Sequence, residues 1–246
     1  MKGIQGAIFC LITHASPLIP LSILCILHDI NKESSLFITF EGIDGCGKSV
    51  QISKFRTILK EQGIPFIITS EPGGTKIGQA IRQILLNVHN TDMANLTELF
   101  LIEADRAQHV REVIKPALDD GKWVICDRYY DATTVYQGIV LEQHEKLIEQ
   151  LNYEASLGCE PDITFLLDCP AEVGLKRIEK RETTDKKRDR FERKSLDFHV
   201  KIRYGYLALA HKHKDRFKII DATLYEDHVA KKIKEIISHY FPKGVI

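Results

Sequence analysis

The chain has 246 residues, and 34 Lys and Arg balance 34 Asp and Glu, so it carries no formal charge with its ten histidines neutral. That balance leaves none of the basic surplus a nucleic-acid binder uses, and 44% apolar with 28% charged residues excludes a disordered or fibrous chain. The six cysteines form no C-x-x-C pair and no H-E-x-x-H helix occurs, which argues against a disulfide scaffold and a dedicated zinc site.

Residues 7–27 are largely apolar, but His14, Pro17 and Pro20 interrupt them. Proline in mid-segment breaks the backbone bonding that hydrocarbon demands, and no small-x-small cleavage site follows Leu27. Residues 1–35 are therefore expected to be a non-catalytic leader or residues upstream of the true start, membrane attachment being the lesser alternative, with no membrane role for the remaining 36–246.

From Leu36 the pattern changes. Five short apolar runs read as buried parallel strands: Leu36 to Phe40, Phe66 to Thr69, Trp123 to Cys126, Ile163 to Leu167 and Phe217 to Ile220. Helical stretches separate them, which predicts a doubly wound α/β sheet. Between the first two runs, Ile52, Phe55, Ile58 and Leu59 recur at helical spacing, and Gly63 is placed to end that helix.

The loop after the first strand carries the strongest signal. Gly42-Ile43-Asp44-Gly45-Cys46-Gly47-Lys48-Ser49 satisfies G-x-x-x-x-G-K-S/T between a strand and a helix, the setting a phosphate-binding P-loop needs. Glycines let several backbone N–H groups face one anion, and the helix amino terminus adds its dipole. Lys48 is the candidate cation for the β and γ phosphates, and Ser49 a hydroxyl ligand for Mg²⁺. Cys46, at a helix amino terminus, is expected to have a lowered thiol pKa and ATP-protectable reactivity.

Two turns at strand ends offer a second binding region. Asp127-Arg128-Tyr129 follows the third strand: the acid suits a metal's water shell and the arginine a phosphate, the plain alternative being an ion pair between them. Glu71-Pro72-Gly73-Gly74-Thr75 follows the second strand and by itself reads as an ordinary turn. Residues 176–194 hold ten basic and five acidic side chains, which composition alone leaves as a solvated face.

Taken in order, Phe40 to Ser49, Glu71 to Thr75, Ile81-Arg82, Ala104 to His109, Asp127-Arg128-Tyr129, Val135-Tyr136-Gln137-Gly138 and Ile220-Asp221-Ala222 resemble the motifs of the thymidylate kinase family. The resemblance implies a P-loop NTPase of the nucleoside monophosphate kinase-like kind, with a five-stranded parallel sheet flanked by helices. It further implies a homodimer that uses ATP and Mg²⁺ to convert dTMP to dTDP on the way to dTTP, and, because both substrates are intracellular, a cytoplasmic location.

The resemblance also implies roles. Asp44 would meet the 3′-hydroxyl of dTMP; Arg128 and Arg82 the 5′-phosphate; Arg106 the thymine carbonyl; Tyr136 and Gln137 the sugar and base; Glu71 the substrate-binding turn. Read without the family, Arg106 is equally a helix-surface arginine paired with Glu103 or Asp105, and Tyr136 a core aromatic. Ile102 stands where the family commonly stacks an aromatic on thymine, leaving Phe100 or Tyr129 to help cover the base. Gly45 stands where some members carry a P-loop arginine, so the missing cation falls to a lid at about 176–194. Arg181 is its expected catalytic residue beside Lys48, Arg128 and Asp127, with Arg177, Arg188 and Arg190 as supports and Arg188 a second candidate. Ser49 and Asp127 would hold the metal. The rival readings are a kinase for dUMP, another nucleotide or a deoxynucleoside, and a non-catalytic ATP-binding switch.

Overall fold

Every strand pairing among the described residues is parallel. In the computed structural model, which describes residues 35–182 and 188–241, the strands are β1 (Phe37–Glu41), β2 (Phe66–Ser70), β3 (Trp123–Asp127), β4 (Ile163–Asp168) and β5 (Phe217–Asp221). They lie in the order β2-β3-β1-β4-β5. All five apolar runs of the sequence are strands, each gaining a polar residue at its carboxyl end. That residue points the chain out of the sheet toward the loops where α/β folds bind ligands. The leader expected over residues 1–35, apart from Ser35, and the 183–187 part of the expected lid lie outside the described residues.

Burial on both faces explains why the strands read as continuous apolar runs rather than alternating ones. On one face, Phe40, Phe55 and Phe165 form an aromatic cluster with ring centroids 5.3 to 6.4 Å apart. On the other, Phe37, Val124 and Cys126 pack with Val110, Ile114 and Tyr129.

Helix α1 (Lys48–Glu61) buries Ile52, Phe55 and Leu59, as its periodicity predicts. It ends at Gly63, whose φ of 65° lets the amides of Gly63 and Ile64 turn back to the carbonyls of Lys60 and Leu59. Then come α2 (Lys76–Leu86), capped by the Thr75 hydroxyl on the Gly78 amide, and α3 (Asn95–His109), which continues through a wide π-type turn (Val110–Ile114) into Lys115–Asp119. After β3, a short α4 (Tyr130–Thr133) passes into a second wide turn, Thr134–Val140, that carries Tyr136 and Gln137. Helices α5 (Glu145–Ser156), α6 (Ala171–Glu182), α7 (Leu196–Lys212) and α8 (Glu226–Ile237) complete the layers. Among the described residues no helix is long and apolar enough to cross a membrane.

Candidate active site

A cavity of about 730 Å³ opens at the carboxyl ends of β1, β2 and β3. Its lining joins loop residues 44–51 to Glu71, Arg82, Arg106, Asp127, Arg128, Tyr136, Gln137, Arg177 and Arg181. One space therefore receives nearly every residue singled out in the sequence, and its size suits small-molecule binding.

The phosphate loop owes its shape to close approach. Gly42 (φ 134°), Gly45 (φ 77°) and Gly47 (φ 103°) all sit in the left-handed region. A Cβ on Gly45 would lie 2.1 Å from the Gly174 carbonyl oxygen of α6, so that helix presses directly on the loop. No side chain caps the amino terminus of α1, which leaves its amides and dipole to an anion. Lys48 Nζ donates to the carbonyls of Gly42 (3.1 Å) and Ile43 (3.2 Å), while the Ser49 hydroxyl stands on an exposed residue of the lining.

Cys46 departs from expectation. It is 2% exposed, and burial pushes its thiol pKa up against the lowering pull of Lys48 and Arg128. Desolvation of the thiolate outweighs the helix terminus, so the lowered thiol pKa expected from the position of Cys46 is corrected to a raised one.

Arg128 takes a left-handed backbone (φ 70°), rare outside glycine, and thereby turns back over the phosphate loop. Its Nη2 donates to Asp44 Oδ1 at 2.6 Å, its Nη1 to Tyr206 Oη at 3.0 Å, and its Cζ lies 5.2 Å from the Tyr136 ring centre. The alternative of an Asp127–Arg128 ion pair is therefore not what forms: the reversed backbone carries the arginine to Asp44. Among the described residues no side chain engages the Asp127 carboxylate. Burial opposes ionisation of Asp44, but Arg128, Lys48 and His199 outweigh it and hold its carboxyl below the usual range. Behind them, burial and then Asp131 raise Glu41 from 4.5 to about 7. Glu41 accepts from the Tyr206 hydroxyl (2.7 Å) and the Tyr129 amide (2.7 Å), forming a floor beneath Arg128.

Arg106 is 1% exposed, so it is no surface arginine. It donates to Glu71 (2.9 Å), Glu103 (2.8 Å), Asn152 (2.9 Å) and Thr133 (2.8 Å), and Asp105 instead accepts from the Gly73 amide. Four of its five N–H donors are thus engaged, and one on Nη2 remains for a ligand. Glu71 lines the cavity with both oxygens committed, Oε2 to Arg106 and Oε1 to His109 Nδ1 at 2.9 Å. His109 Nε2 in turn lies 2.6 Å from Thr69 Oγ1. Glu71 therefore holds Arg106 in place.

Arg82 Nη1 donates to the Pro72 carbonyl at 2.7 Å and lines the cavity. Tyr136 is 7% exposed; its hydroxyl has no hydrogen-bond partner among the described residues, and its ring meets Phe191, Phe198 and Tyr206 edge-on. Tyr136 is thus a packed aromatic that also lines the cavity, without the satisfied hydroxyl expected of a plain core tyrosine. Ile102 and Tyr129 belong to the lining, whereas Phe100 is exposed and does not.

In the segment 176–194, expected to act as a lid, Arg181 lines the cavity and donates to Glu192 Oε1 at 2.6 Å. Arg177 donates to the carbonyls of Ala222 (2.9 Å) and Cys46 (3.4 Å), pinning α6 across the nucleotide side. Arg190 donates to Glu98 and to the Leu85 carbonyl, which anchors the turn 189–192 on α2 and α3. Arg188 pairs with Glu179 at 3.4 Å and is not part of the lining.

Sequence reasoning passed over Glu41, Tyr206, His109, Glu98 and Glu192. Of these, Glu41 and His109 stand inside the family-like motifs and Glu192 inside the 176–194 segment, where only burial of their charge could have marked them.

The family model described as Thymidylate kinase matches residues 40–233. A thymidylate kinase of Desulfosudis oleivorans is 48% identical over 190 residues, covering 76% of this chain and 89% of its own. One from Oleidesulfovibrio alaskensis is 45% identical over 212 residues, 85% of this chain and 100% of its own. Another from Syntrophus aciditrophicus is 49% identical over 190 residues, with coverage of 76% and 87%. A P-loop opening on the same cavity as Arg82, Arg106 and Arg128, together with these matches, means that the chain belongs to the thymidylate kinase family.

Proposed function

We propose that the protein transfers the terminal phosphoryl group of ATP to dTMP, yielding dTDP and ADP. The observation that supports this reading is a single cavity in which a phosphate loop and Arg128 stand together. An oxygen of the dTMP phosphate attacks the γ-phosphorus as the bond to the β-γ bridging oxygen breaks, and that oxygen leaves on ADP. Such a transfer asks the protein for alignment and for cations around the moving group.

The loop amides and Lys48 hold the ATP phosphates, with Lys48 exchanging its bonds to the Gly42 and Ile43 carbonyls for phosphate oxygens. Arg128 and Arg82 grip the acceptor phosphate, Asp44 takes the 3′-hydroxyl, and Tyr136 flanks the sugar. Arg106, steadied by Glu71, and Gln137 read the base, with Ile102 in place of a stacking aromatic. Arg181 neutralises the group in flight, supported by Arg177 and Arg190; Arg188, outside the lining, is the weaker candidate.

The oxygen donors Ser49 and Asp127 fit Mg²⁺, a hard ion that takes few protein ligands, and would hold it. When bound, it supplies further neutralisation of the phosphate charge. We also propose a homodimer working in the cytoplasm. Ile77 and Ile84 on α2, seven residues apart, and Leu96 and Phe100 on α3, four apart, expose apolar surface that a second copy would cover.

An ADP-release assay with dTMP, dUMP, dCMP, CMP and AMP tests the reading. Turnover with dTMP exceeding that with the other nucleotides is expected; ATP binding without dTMP-dependent ADP release would leave only the ATP switch.

A further inference from the structure

Glu98 lies in the first turn of α3, 3% exposed, with both carboxylate oxygens engaged. Oε1 accepts from Gln137 Nε2 at 2.8 Å, and Oε2 accepts from Arg190 Nη2. Gln137 is 1% exposed and lines the cavity, whereas Glu98 does not. Arg190 is fixed independently, because its Nε donates to the Leu85 carbonyl at 2.8 Å and its backbone amide to Leu86.

A carboxylate paired with an arginine offers only acceptors, so the Gln137 amide has one orientation toward it: NH₂ against Glu98, oxygen turned away. No described residue engages that oxygen, and it is the Gln137 side-chain atom left for a ligand. We propose that Glu98 is a specificity-determining positioning residue, which by its buried contacts with Gln137 and Arg190 makes the cavity present a hydrogen-bond acceptor to the base. An acceptor there pairs with the ring N–H of thymine or uracil. Cytosine carries an unprotonated ring nitrogen at that place, and two acceptors facing each other would both lose their bonds to water. The inference deepens the dTMP kinase reading and rests on it.

A glutamine at 98 offers an oxygen or an amide NH₂, so the neighbouring amide is free to flip. For Glu98→Gln, kcat/KM for dTMP should fall about tenfold while that for dCMP holds or rises, so the dTMP-to-dCMP ratio drops about tenfold or more. KM for ATP should stay within about twofold, since nothing in the nucleotide loop changes. Arg190→Met breaks the same contact from the lid side; it should lower the ratio in the same direction, and the double variant should be no less selective than Glu98→Gln alone. It also carries the test if Glu98→Gln does not fold. An unchanged ratio, or dTMP and dCMP falling by the same factor as from a general loss of structure, overturns the proposal. Wild-type protein that turns over no dTMP sinks instead the reading beneath it.

Discussion

Arg128 and Asp44, 84 residues apart, meet at 2.6 Å because a left-handed φ of 70° turns the strand-end arginine back over the phosphate loop. The pair ties the end of β3 to the phosphate loop, and both residues line the cavity. In the proposed function Arg128 grips the acceptor phosphate, so Arg128→Ala should lower kcat/KM for dTMP by about 10³-fold, as for loss of a charge clamp on a transferring system, while ATP affinity stays within about twofold. Steady-state kinetics with each substrate varied, together with ATP titration, check this; equal losses for both substrates would contradict it.

The lid gives a sharper contrast. Arg181 lines the cavity and Arg188 does not. Arg181→Ala should reduce kcat by about 10³-fold with modest change in KM, the mark of a cation acting mainly in the transition state. Arg188→Ala should change kcat by less than about threefold, in keeping with a partly exposed ion pair. A reversed order of the two effects would transfer the role to Arg188.

Position 45 is consistent with the proposal that the charge comes from the 176–194 segment and not from the phosphate loop. With φ at 77° and the Gly174 oxygen 2.1 Å from where a Cβ would sit, no side chain fits. Gly45→Arg should therefore fail to rescue Arg181→Ala, and Gly45→Ala should cost about 1–3 kcal/mol of stability and weaken ATP binding. Recovery of kcat in the Gly45→Arg, Arg181→Ala protein would show that the loop can carry the cation after all.

Glu41 sets a pH dependence of stability. Burial raises it from 4.5 to about 7. Between those values the folded protein holds a proton that the unfolded chain has released, so stability falls as pH rises through that window, by about 3 kcal/mol. Asp105, raised to about 6 by burial and then by Glu71, adds in the same sense. Asp44, held low, acts oppositely and only at the acid end: its contribution is present above the ordinary value of 3.8 and is lost as pH falls. Urea midpoints at pH 5 and pH 8 should converge in Glu41→Gln relative to wild type; equal differences in both proteins would remove Glu41 from the account.

The strands and the phosphate loop were legible because each rests on local pattern: buried runs bounded by turns, and glycines at fixed spacing before a helix. What the sequence hid was pairing over long separations. Nothing near Arg106 tells that it is buried on Glu71, 35 residues away, or near Arg128 that its backbone reverses toward Asp44. Glu98 looked like any first-turn acid, and only its burial between Gln137 and Arg190 gives it a part. Cys46 misled for a related reason, since position at a helix terminus is visible in sequence and desolvation is not.

A crystal structure of the protein with adenosine and thymidine joined through five phosphates, a mimic of both substrates in line, tests the central claim most directly. The account predicts the phosphate chain running from the Gly42–Ser49 loop to Arg128, with Arg181 released from Glu192 onto the phosphates between. Arg128 held on Asp44 without touching phosphate, or Arg181 still bound to Glu192, would contradict it.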